Sequence, residues 1–134
     1  MANVSQYTGN AALNWSLRNT APSNVASRGI GLATAAPTSI SASEMQSGSG
    51  YLRQAVGTTG FAAATSGTAT NGTAITFGPF STTYSITGIH IWDTAAVAVD
   101  TGNMLWFGNL ATARTVLSGD SLVIASAALT VSLV

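Results

Sequence analysis

A chain of 134 residues without cysteine is long enough for one domain with its own core, and it excludes a disulfide framework or a thiolate metal site. Only 6% of its residues are charged, against about 25% in ordinary soluble domains. Lysine is absent, Arg18, Arg28, Arg53 and Arg114 balance Glu44, Asp93, Asp100 and Asp120, and the zero net charge excludes the basic footprint that nucleic acid or an anionic membrane surface requires.

Residues 1–24 read as an N-terminal arm, with no basic stretch leading into an apolar core of the kind a secretory leader carries. Within it, residues 11–18 predict a short helix. Leu13 and Leu17, four apart, share a face; Asn10 is placed to cap the start, and Pro22 forbids continuation.

Residues 25–134 read as a β domain. A first strand is expected over residues 28–33, before Pro37, and residues 38–50 form a polar loop without periodicity. In residues 50–56 alternation sets Tyr51, Arg53 and Ala55 on one face, and Leu52, Gln54 and Val56 on the other. Residues 61–70 are small and suit an edge strand or a loop. Residues 74–77 form a short strand stopped by Gly78-Pro79.

Residues 84–92 alternate along a longer strand. Ile86 falls out of phase with Ile89 and Ile91 unless Gly88 marks a bulge. After a loop over residues 93–102, strands are expected at 104–110, 115–116, 121–125 and 129–133, with a hairpin turn at Gly119-Asp120. Six to eight short strands with Gly- and Asn-rich connections predict an all-β fold: an antiparallel, jelly-roll-like β-sandwich preceded by the short helix or arm. The apolar C-terminal stretch, residues 122–134, is shorter than the roughly 20 residues of a spanning helix.

Catalytic chemistry finds little support in these residues. His90 is the only histidine, and strand parity turns it away from Asp93. Glu44, Asp93, Asp100 and Asp120 are scattered, and Asp93 and Asp120 follow strand ends or glycine, where such side chains bind turn N–H groups. Asp93 and Asp100 flank one loop and offer at most a weak calcium site, without the clustered oxygens of an EF-hand loop. No phosphate loop, nucleophile elbow or cofactor motif is present, so no catalytic, metal or cofactor-binding residue is assigned and no enzyme is expected. Trp15, Trp92 and Trp106 suit sugar stacking, but Trp92 and Trp106 sit among Ile, Leu and Phe, which favours packing in a core or between subunits. The structural or interface candidates are Trp15, Tyr51, Arg53, Trp92, Trp106, Gly119 and Asp120.

Several segments in order resemble a family of small tailed-phage virion proteins, tail-fibre-like, that includes capsid decoration (cement) proteins. The resemblance runs through residues 11–13 and 31–38, Glu44, Gly50-Tyr51-Leu52-Arg53, Asn71, Ile75-Thr76-Phe77, Thr87-Gly88-Ile89 and Trp92-Asp93. It closes with residues 102–110, Gly119-Asp120 and residues 129–133. The chain departs from it at Ala127, where glycine is expected in the last turn, and at Phe77-Gly78-Pro79, where a bulkier aromatic is expected.

The resemblance implies a trimeric β-sandwich on a phage particle. The leading expectation is a decoration protein on the capsid exterior, a homotrimer that grips the major capsid protein and reinforces the head. The alternative is a tail-fibre or receptor-binding module that contacts host glycan through loop aromatics or residues 38–50. Positive mean hydropathy and sparse charge favour such an assembly, because they leave a monomer poorly protected against association.

Overall fold

The structure is a computed structural model describing residues 3–23, 25, 27–95 and 101–133. Its elements are β1 (Asn3–Val4), α1 (Gln6–Arg18), β2 (Ser27–Ala33), β3 (Gln54–Gly57), β4 (Thr68–Thr70), β5 (Ile75–Phe77), β6 (Tyr84–Trp92), β7 (Met104–Val116), β8 (Leu122–Ile124) and β9 (Thr130–Ser132). Five strands form one antiparallel sheet in the order β1-β7-β6-β2-β3. Two ladders, β4–β9 and β5–β8, make a divided second layer.

The pairing is nested: β6 with β7, β5 with β8 outside it, and β4 with β9 outermost. The chain thus runs back along itself like one long folded hairpin, the wrapping of a jelly roll. Between the layers lies the core, built from Ile30, Leu32, Ile86 and Ile91 of the large sheet against Ile75, Phe77 and Val131 of the ladders, with Tyr51, Met45 and Phe80 filling between.

The expected β6 is present over its full length, and the register with β7 shifts between Ile86 and Gly88. The shift lets Ile86 and Ile91 enter one core, with half-buried Ile89 packed against it, despite their odd spacing. Gly88 lies tight beneath Pro37, where a side chain has no room.

Four expectations need correction. β7 is one strand, where two were expected at 104–110 and 115–116. Its residues 110–113 lie between two rungs that β6 spans with Thr87 alone, so the apolar pattern breaks while the strand continues. The strands nonetheless number nine among the described residues, above the six to eight expected, because Asn3–Val4 of the arm pairs with β7 as an added strand. The alternation over residues 50–56 holds for Tyr51 and Arg53, both buried, but Val56 is buried and Ala55 exposed. The phase changes because only Gln54–Gly57 pairs in the sheet, the preceding residues being a connection.

Helix α1 starts five residues before the expected position and is capped by Ser5, not Asn10. Ser5 Oγ accepts from Thr8 N at 3.1 Å and donates to Met104 O at 2.5 Å. Its N–H donates to Leu105 O and that of Gln6 to Ser39 O, both at 3.0 Å. The first turn is thereby pinned to β7 and to the loop after β2. The helix nevertheless buries none of its residues.

Candidate functional site

Three of the sequence candidates, Tyr51, Arg53 and Trp92, converge beneath the connection between β2 and β3. They meet Glu44, which the loop over residues 38–50 delivers to them. Arg53 donates from Nε to Glu44 Oε1 at 2.7 Å and from Nη2 to Oε2 at 2.5 Å, a bidentate pair with both side chains out of solvent. Its Nη1 donates to Thr101 O at 2.6 Å, and its Cζ lies 3.8 Å from the centre of the Trp92 ring. Tyr51 donates its hydroxyl to Glu44 Oε1 at 2.9 Å and accepts Leu32 N at 3.0 Å.

His90 completes the cluster. Trp92 Nε1 donates to its Nδ1 at 2.6 Å, so the neutral ring carries its proton on Nε2. Among the described residues no hydrogen-bond partner meets Nε2. Burial pushes the imidazole down to about 4; Glu44 opposes that shift and Arg53 adds to it. Burial and the Glu44 charge push the Tyr51 phenol far above its usual value. A Cβ on Gly31 would run into the imidazole and the Tyr51 hydroxyl, so only glycine lets β2 pass over them.

Burial thus favours the neutral forms of both His90 and Tyr51. A carboxylate that accepts three hydrogen bonds from Arg53 and Tyr51, a phenol that donates to it and a neutral imidazole clamp a long loop onto β2 and β6. In the sequence Glu44 stood out as a carboxylate in a polar loop and as part of the family resemblance; nothing local showed that an arginine nine residues on would take it.

The other candidates lie apart. Trp106 on β7 is half-buried against the core and opposite Ile91. Gly119, at φ 89°, and Asp120 form the β7–β8 turn, where Asp120 Oδ2 accepts Leu117 N at 2.9 Å; the turn carries the chain from one sheet to the other and is not the expected hairpin. Asp93 binds Asn103 N and Nδ2 at 2.7 and 2.8 Å and ties the ends of the β6–β7 connection. Asp100 lies outside the described residues, and among those described no group of three His, Cys, Asp or Glu is placed to hold a metal. Ala127, the site of the missing glycine, has φ 61°, the conformation glycine favours.

Trp15 stands in the open. It is 60% exposed on α1, and Leu13 at 57% and Leu17 at 77% share the other side of the helix. At the root of the same helix a groove of about 540 Å³ opens between Gln6 and Tyr7, the Ser39–Ser41 turn, Asn103 and the edge of Trp92.

No curated protein sequence matches the chain. The profile of a family described as podophage GP4 fiber I protein gp80 matches residues 3–132. That span runs from β1 to β9 and takes in the cluster, the exposed helix and the groove, so the chain belongs to this family of phage virion structural proteins.

Proposed function

We propose that the protein is a fibre subunit of a tailed phage, a non-catalytic building block that associates as a homotrimer through α1. The observation that carries this reading is the helix itself. It displays Leu13, Trp15 and Leu17 to solvent, and none of its residues is fully buried against its own domain. Thirteen residues are too few for a free helix to be stable in water, so such a helix draws its stability from packing. Large apolar side chains with no cover in the protomer mark an interaction surface. Sparse charge lowers the cost of bringing copies together.

The family's description as a fibre supports this role over capsid decoration, in which the same domain would grip the major capsid protein. Light scattering at micromolar concentration tests the assembly. About 40 kDa, three times 13.4 kDa, is expected for the wild type and 13.4 kDa for Leu13→Glu/Leu17→Glu. A 13.4 kDa wild type would overturn the trimer. Immunogold labelling of virions tests the position: gold on the tail supports the fibre role, and dense labelling of the head supports decoration.

A further inference from the structure

We propose that the groove at the root of α1 is a binding subsite for a neutral saccharide. The inference rests on the fibre reading for its biological sense, as a contact with host glycan, while the binding stands on the geometry alone.

A pyranose presents a C–H face and a rim of hydroxyls that both donate and accept. The groove offers counterparts to both. Tyr7, 43% exposed in the first turn of the helix, supplies an aromatic surface for the C–H face. Ser39, Ser41 and Gln6 are exposed along the opposite walls, and their hydroxyls and side-chain amide make no hydrogen bond within the described residues. Asn103 closes one end, its Nδ2 held by Asp93 Oδ2. The volume, about 540 Å³, lies in the usual range for small-molecule sites.

The walls are fixed before any ligand arrives. Trp92 is buried beneath the groove with Arg53 against its ring and His90 on its nitrogen. The Ser39 carbonyl accepts Gln6 N, and the Met104 carbonyl accepts Ser5 Oγ. Such preorganisation reduces the ordering cost of binding.

Charge narrows the ligand class. None of the described residues lining the groove is charged. The neighbouring Asp93 carboxylate is engaged by Asn103 with both oxygens, and Arg53 is bound to Glu44 below the tryptophan. A phosphorylated, sulfated or carboxylated sugar would leave its anion unpaired here. The fit is therefore to neutral hexoses and N-acetylhexosamines.

Saturation-transfer-difference NMR on the whole protein tests this, with glucose, galactose, rhamnose and N-acetylglucosamine as neutral probes and glucuronate and N-acetylneuraminate as acidic ones. At least one neutral sugar should bind with a dissociation constant of about 1–10 mM, as expected of one open subsite. Tyr7→Ala should weaken it about tenfold or more. Ser41→Arg, on an exposed turn, should fill the groove and abolish binding even if the Tyr7 variant folds poorly. Leu117→Ala, exposed in the β7–β8 turn and outside both the groove and α1, should leave it unchanged. No transfer to any neutral sugar at about 10 mM, preference for the acidic probes, or binding retained in Ser41→Arg would overturn the proposal. Light scattering on the same samples keeps the two readings separate: a monomer that binds sugar sinks the trimer and keeps the subsite, and a trimer that does not does the reverse.

Discussion

The most consequential side chain for stability is Glu44. Its two oxygens receive Arg53 and Tyr51 in a volume with no solvent, so removing its charge strands a guanidinium in the interior. Glu44→Gln is expected to cost about 3–5 kcal/mol in urea denaturation. Adding Arg53→Met should recover part of that loss, because the orphaned cation goes with it. His90 sets a pH dependence among the same groups, facing Glu44, Arg53 and Tyr51. Unfolded, an imidazole takes its proton near pH 6.5; folded, His90 resists until about 4. Between those values the unfolded chain binds more protons. Stability present above pH 6.5 is therefore lost as pH falls toward 4, on the order of 1 kcal/mol per pH unit. In His90→Gln the amide oxygen can still accept from Trp92, and denaturation across that window should show a flatter decline.

Elements were legible where one force dominates. β6 could be read to the residue because alternation and Gly88 agree. β7 could not, because its bulge interrupts the apolar pattern without ending the hydrogen-bonded strand. The start of α1 was hidden by Gly9, a poor helix former, and by a Ser5 cap that lacks an acidic partner three residues later. The cluster was half legible. Tyr51, Arg53 and Trp92 stood out as large residues in strand-like surroundings, whereas Glu44 and the groove depend on where long connections land. The turn at Gly119 offers a direct test of local chemistry. Nothing lies within 4 Å of an added Cβ, so the penalty there comes from the φ of 89° alone. Gly119→Val should cost about 1–3 kcal/mol and lower the melting temperature visibly in calorimetry.

At the scale of the whole molecule, the core cluster changes what the composition means. The chain has four cationic and four acidic side chains, and Arg53 and Glu44 neutralise each other inside. Three of each remain for the rest of the chain. Charge repulsion between copies is correspondingly weak. β9 pairs only with β4 among the described residues, and β7 beyond Phe107 has no outer partner there. Exposed edges of this kind favour contact with further strands. Composition bears on association only as a bulk property; the helix was expected over residues 11–18, but the exposure of Leu13, Trp15 and Leu17 was not, since their spacing equally fits a face packed on the domain.

The nested pairing has a kinetic consequence. Strands far apart in sequence ordinarily make folding slow, because each pair must close a long loop. Here β6 and β7 close first around a single connection, and that closure brings β5 and β8 together across residues 78–83 and 117–121. The same step then delivers β4 to β9 across residues 71–74 and 125–129. Each ladder shortens the loop left for the next, so the sandwich can zip outward from its central hairpin. In stopped-flow chevrons, Ile86→Val on β6 should slow folding, whereas Val131→Ala on β9 should accelerate unfolding and leave the folding rate nearly unchanged. Slower folding in the Val131 variant would mean that the outer ladder belongs to the nucleus and that closure runs inward.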